Sequence, residues 1–160
     1  MKKLLLSLTV LAALSTAADN VAPSFSHPGD LPLDSIPQFI CFGWDDNVYY
    51  DGLHWADTLF ASRTNPDGSP ILSTYYISTH PAIENDSLWD EIHELYLQGN
   101  EIGNHTQTHD GEVFSANMGN KELWDKEIGG CNDDLNRQSN IPLEAITGFR
   151  TPFLVYSSAT

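Results

Sequence analysis

The sequence predicts an α/β fold, either a parallel sheet or a (β/α) barrel. Two observations carry this prediction. Strand-like and helix-like segments alternate between residues 38 and 149, the order that βαβ units impose. Three polar clusters, Asp45-Asp46, His105 with His109, and Arg150, each directly follow a strand-like segment. They therefore fall at the carboxyl ends of strands, where the sites of such folds assemble.

The chain opens with Lys2-Lys3, an apolar run from Leu4 to Leu14, and the small residues Ser15-Thr16-Ala17. This is the pattern of a secretory signal peptide over residues 1–17, which implies a secreted protein, extracellular or periplasmic. The apolar run is shorter than the ~20 residues of a membrane span, so no stable membrane anchor is expected after cleavage. The formal charge of −15 becomes −17 once the segment carrying Lys2 and Lys3 is removed. So acidic a chain repels phosphate backbones, which excludes nucleic acid as a partner class. Residues 18–37, rich in Pro, Ser and Asp and lacking a hydrophobic period, read as a linker to a domain over 38–160.

Gln38 to Gly43 is a continuous apolar run, as for a strand buried on both faces. It places Cys41 in the interior. Trp44-Asp45-Asp46-Asn47 follows. Adjacent side chains on a strand point to opposite faces, so the two aspartates share a site only if the backbone turns here, a role suited to Asn47. Asp51 to Ser62 reads as a helix with Trp55, Leu59, Leu53 and Phe60 inward, and residues 63–70 as a turn-rich loop. Ser73 to Ser78 is a second strand, rich in aromatic and β-branched types.

Ser87 to Gln98 forms the next helix, with Ser87 and Asp90 as its cap, Leu88, Ile92, Leu95 and Tyr96 as its apolar stripe and Gly99 as its terminator. Asn100 to Asn104 is a brief strand. A third helix runs from Lys121 to Arg137 with Trp124, Ile128, Cys131 and Leu135 inward, although Gly129 and Gly130 each cost about 1 kcal/mol relative to Ala. Ile146 to Phe149 restarts a strand. Cys41 and Cys131 then read as two buried free thiols, too few for a structural zinc cluster.

His105 and His109 are four residues apart. If one helical turn joins them, both imidazoles leave the same face and converge on one ion. A carboxylate from elsewhere completes three protein ligands and leaves a position for water, the plan of a catalytic rather than a structural zinc site. A metalloprotease is disfavoured, because no glutamate follows the first histidine as in His-Glu-x-x-His.

Three motifs resemble those of the polysaccharide deacetylases of carbohydrate esterase family 4, which share the NodB homology domain. Gly43-Trp44-Asp45-Asp46-Asn47 is similar to Thr-Phe-Asp-Asp-Gly, His105-Thr106-Gln107-Thr108-His109 to His-Ser/Thr-x-x-His, and Arg150-Thr151-Pro152-Phe153 to Arg-x-Pro-Phe/Tyr. Residues 65–71 with 73–78 further resemble the branch containing insect chitin deacetylases. The resemblance covers residues 38–154; Gly43, Trp44 and Asn47 depart from the first motif.

The resemblance implies a (β/α) barrel of the NodB type, incomplete at the C-terminus, since the family's later motifs, including a catalytic histidine, would follow Thr160. It implies a divalent metal, zinc before others, held by Asp46, His105 and His109. Asp45 would be the general base, Arg150 would orient or tune it, and the backbone N–H of Phe153 would serve the oxyanion. The substrate would be an acetylated polysaccharide or oligosaccharide, with an N-acetylated, chitin-like polymer ahead of peptidoglycan and acetylated xylan. A non-catalytic carbohydrate-binding or truncated homologue of the same fold is the alternative.

Overall fold

The structure is a computed structural model and describes residues 28–36, 39–80, 85–111, 117 and 119–155. The expected signal segment, residues 1–17, lies outside the described residues. The chain divides into two units, Met1–Phe39 and Ile40–Thr160. In the first, two 3-10 turns, Pro28–Asp30 and Leu33–Ser35, occupy part of the expected linker.

The second unit contains β1 (Gly43–Trp44), α1 (Tyr50–Ala61), β2 (Thr74–Ile77), α2 (Asp86–Leu97), β3 (Glu101–Asn104) and α3 (Lys121–Ser139). The strands form one sheet in the order β1-β2-β3, parallel at both junctions. The α/β alternation is therefore as expected, but among the described residues the sheet is open and does not close into a barrel. The expected strand at residues 146–149 is reduced to one parallel bridge between Phe149 and Asn104. Pro152 has no N–H to extend a ladder, and the chain turns there into a 3-10 helix, Pro152–Leu154.

Helices and sheet meet in a core of Leu53 and Ala56 from α1, Leu88, Trp89, Ile92 and Leu95 from α2, and Cys131 and Leu135 from α3, packed on Tyr75, Ile77 and Ile102 of the sheet. Each large apolar side chain buried there contributes about 1.5–3 kcal/mol relative to exposure. The stripe of α2 is as its 3–4 residue spacing predicts. Its cap is not: Asn85, not Ser87, accepts the Leu88 N–H, at 3.2 Å. Its end follows the sequence closely, with Gly99 at φ 98. The Gly99 N–H donates to Tyr96 O at 3.0 Å and the Asn100 N–H to Leu95 O at 3.1 Å, the paired bonds of a Schellman motif. The Asn100 side chain also accepts the Ser73 N–H at 2.9 Å, which ties the end of α2 to the entry of β2.

Two expectations fail at the sheet edge. Among the described residues of the apolar run only Gly43 is in a strand, which it forms with the following Trp44, and Phe39 and Ile40 are 84% and 69% exposed. Among the described residues β1 has a neighbour on one side only, so a run with the look of a central strand has no second described neighbour to cover it. Cys41 is accordingly exposed rather than buried. On α1 the buried positions are Leu53 and Ala56, while Trp55 is 58% exposed. Two residues from Leu53 is more than half a helical turn, which turns Trp55 away from the core.

Helix α3 runs two residues longer than expected, and one of its two glycines, Gly130, has a local reason. A Cβ on Gly130 would meet the Gln107 side chain at 2.6 Å. The missing side chain thus makes room for the loop that follows β3.

Both cysteines are free, and their environments differ. Cys131 is buried and its thiol donates to Ile77 O at 3.3 Å; burial pushes its pKa from 9.0 up to about 12. Native protein at about pH 8 should therefore consume thiol reagent at Cys41 alone, with Cys131 reacting only after unfolding. Above the ordinary thiol pKa the native state keeps a proton that the unfolded state releases. This contribution to stability is whole below about pH 9 and is lost as pH rises through about 12. Denaturation midpoints measured across that window should fall; two reactive thiols in the native state would contradict the burial.

Candidate metal centre

At the end of β1 the backbone turns as the adjacent aspartates require. Asp46 sits at φ 55, a left-handed conformation that costs a non-glycine residue about 1–2 kcal/mol. Asn47 holds it: its Nδ2 donates to Trp44 O at 2.7 Å and to Tyr76 O at 3.0 Å. The turn sends Asp45 towards Arg150 and Asp46 towards the histidine pair.

β3 delivers His105, whose side chain is 3% exposed. The residues from His105 to His109 do not form the expected helical turn. Thr106 and His109 have φ of 70 and 53, which breaks the helical ladder. The Thr106 N–H donates instead to the Asn104 side chain at 2.8 Å, and the His109 N–H to Thr106 Oγ1 at 3.3 Å. The imidazoles converge nonetheless, with ring centroids 4.8 Å apart. Asp46 Oδ1 lies 3.3 Å from His105 Nε2 and 2.8 Å from His109 Nε2.

The tautomer of His105 is fixed by its far side. Its Nδ1 lies 2.7 Å from the Arg150 carbonyl oxygen, which can only accept, so Nδ1 carries the hydrogen. In the neutral ring Nε2 then presents a lone pair to a carboxylate lone pair. Such an arrangement is repulsive unless a proton or a cation lies between them. Two imidazole nitrogens and one carboxylate oxygen, mutually within 4.8 Å, are a donor set that suits zinc and similar divalent ions. The residues present therefore fit a divalent cation. The Nδ1–H bond to a backbone carbonyl is the usual outer support of a ligating histidine.

Arg150 joins the two halves. Its carbonyl receives His105, and its Nη1 donates to Asp45 Oδ1 at 2.8 Å. The guanidinium lies 4.3 Å above the Tyr76 ring, a cation–π contact, and the hydrogen bond to Asp45 holds its pKa above the ordinary arginine value. A Cβ on Gly43 would come within 3.2 Å of Nη2, so this departure from the family motif leaves room for the guanidinium. The Phe153 ring packs against His109 in a tilted arrangement, with centroids 4.7 Å apart and planes at 51°. Asp45, Asp46, His105, His109 and Phe153 line one open cleft of about 180 Å³. All six expected site residues are thus brought together, five on the cleft wall and Arg150 bonded to two of them.

Several supporting residues carry no motif. Glu127 and Asp134 on α3 are buried carboxylates, 4% and 1% exposed. Asp134 accepts hydrogen bonds from Thr79 Oγ1 at 2.9 Å and Gln107 Nε2 at 3.0 Å, and Glu127 bonds Thr108. The available signal was charge on the inner stripe of a helix, at positions that interleave with Trp124, Cys131 and Leu135. His93 is partly buried with Nδ1 2.7 Å from Ser139 O. His54 pairs with Glu91 at 3.2 Å. Trp89 is core at 3% exposure.

Because Asn47 ties the acidic turn to β1 through Trp44 O and to β2 through Tyr76 O, Asn47→Ala should lower stability by about 1–3 kcal/mol. Urea denaturation measures this, and an unchanged midpoint would show that the turn is held by other means.

No family model matches the chain. The chain is 32% identical over 129 residues to "Chitin deacetylase 1" of Bombyx mori, covering 79% of this chain and 23% of that protein. It is 29% identical over 134 residues to "Chitin deacetylase 8" of Bombyx mori, covering 83% of this chain and 34% of that protein. The chain thus spans about a quarter and a third of the lengths of these relatives. The likeness drawn from three short motifs extends through the residues between them. Over most of its length the chain is a homologue of the chitin-deacetylase-like polysaccharide deacetylases.

Proposed function

We propose that the chain is part of a secreted, metal-dependent polysaccharide deacetylase that removes acetyl groups by hydrolysis, with an N-acetylated, chitin-like polymer as the favoured substrate. The observation that carries this is the convergence of Asp46, His105 and His109 beside an arginine-held Asp45, in a homologue of proteins named chitin deacetylases. On this reading residues 1–17 are the signal peptide, 18–37 the linker, and 38–160 part of a (β/α) barrel of the NodB type. The parallel strand order and the relatives support it.

Asp46 Oδ1 and the Nε2 atoms of His105 and His109 would hold the divalent ion, zinc being preferred for two imidazoles and one carboxylate. When bound, such an ion lowers the pKa of a water towards ~7 and polarises a carbonyl. Asp45 is the general base that takes the proton as water attacks the acetyl carbon. Arg150 occupies Oδ1 of Asp45, which assigns the proton to Oδ2 and fixes the plane of the carboxylate. The Phe153 backbone N–H stabilises the oxygen on which charge develops. The bond from His105 Nδ1 to the Arg150 carbonyl keeps the hydrogen off Nε2, so that its lone pair would be free to hold an ion. Arg150 therefore sets both the base and a ligand.

The test is zinc content together with acetate release from an acetylated chito-oligosaccharide. Wild type should bind about one zinc per chain and release acetate in a chelator-sensitive manner, and the His105→Ala/His109→Ala double variant should do neither. Asp45→Asn should keep zinc while losing about 10²–10⁴-fold in rate. Oligosaccharide binding with zinc but without acetate release would leave a carbohydrate-binding scaffold instead.

A further inference from the structure

We infer that Glu127 is a positioning residue of the metal centre, acting through Thr108 to hold His109 in its ligating pose; the inference rests on the metal reading above. A carboxylate buried to 4% exposure on the inner stripe of α3 is unfavourable unless it is bonded. Every bond described for it goes to one short stretch of loop. Glu127 Oε2 accepts the Thr108 N–H at 2.9 Å, and both its oxygens lie 3.1 Å from Thr108 Oγ1. Its carbonyl accepts the Gln107 N–H at 3.1 Å. Thr108 is the residue immediately before His109.

The two histidines differ in what fixes them. His105 is held by β3, by its N–H to Ile77 O at 3.0 Å and by the Arg150 carbonyl. His109 lies beyond the strand, with its side chain 20% exposed against 3% for His105, and its position depends on the loop. That loop contains two non-glycine residues in the left-handed region, Thr106 and His109 itself. Such residues persist only where surrounding contacts over-determine them. Asn104, through Asn132 at 2.6 Å, and Gln107, through Asp134 at 3.0 Å, fasten the loop's first half. Glu127 fastens the residue adjoining His109.

The acceptor-only chemistry of a carboxylate matches this task. Thr108 presents two donors, N–H and O–H, and Glu127 can accept both at once. A glutamine keeps one acceptor oxygen and turns a donor towards the loop; an alanine keeps neither. Zinc affinity should therefore fall in the order wild type, Glu127→Gln, Glu127→Ala. Thr108→Val removes only the hydroxyl, from an exposed position, and leaves the fold of α3 untouched.

The experiment is competition of each chain with a chromophoric chelator for zinc, with far-UV circular dichroism and melting of the metal-free chains recorded in parallel. Cobalt(II) absorption in the same site reports geometry. Glu127→Ala should weaken zinc by about 10–100-fold, as outer-shell partners do, with a perturbed cobalt spectrum. Glu127→Gln and Thr108→Val should each lose less, and combining them should add little because they break one shared interaction. If a Glu127 variant does not fold, Thr108→Val decides: weakened zinc binding in a folded chain supports the inference, and unchanged affinity overturns it. Zinc binding by wild type with equal affinity in all folded variants also overturns it while leaving the metal reading intact. Failure of wild type itself to bind zinc overturns both.

Discussion

One carboxylate oxygen, Oδ1 of Asp46, faces two imidazole nitrogens at 3.3 and 2.8 Å, and the surrounding structure is arranged to keep it there. The aspartate comes from the turn after β1 and the histidines from the loop after β3, so their meeting requires β1, β2 and β3 to be parallel and in register. The central strand carries this constraint. Tyr75 pairs with both Trp44 and Ile102, and its side chain is buried in the core. Hydrophobic packing of the helices on the sheet thus fixes, at a distance, where three ligand atoms fall.

Backbone strain is concentrated at the same place. Asp46, Thr106, His109 and Phe153 all have positive φ, and each adjoins or lines the cleft. Three of the four have a partner that holds the residue or its neighbour: Asn47, next to Asp46, donates to the Trp44 and Tyr76 carbonyls, Asn104 receives the Thr106 N–H, and Glu127 receives Thr108, next to His109. Arg150 spans the cleft by bonding Asp45 with its guanidinium and His105 with its carbonyl. A change at Arg150 is therefore felt by the base and by a ligand together.

The parts legible in the sequence were those whose cause is local. α2 is specified by its apolar spacing and by Gly99, and the acidic turn by the need of two adjacent aspartates to share a site. The polar clusters declared themselves through their place after strands. What could not be read depends on neighbours distant in sequence. Residues 39–42 have the composition of a central strand, and only the sheet order reveals an edge. A spacing of four between His105 and His109 is compatible with a helical turn or a loop, and the Asn104 side chain together with the contacts of α3 selects the loop. Glu127 was readable as an acid on an apolar stripe, but its partner, Thr108, lies nineteen residues away in the chain.

X-ray absorption at the zinc edge of the metal-loaded protein tests the central claim most directly, because it counts the ligands and measures their distances. The account predicts two imidazole nitrogens at about 2.0–2.1 Å and one carboxylate oxygen at about 2.0–2.2 Å, with water completing the shell and one imidazole lost in His109→Ala. A thiolate shell near about 2.3 Å, or a spectrum indifferent to His105 and His109, would contradict it.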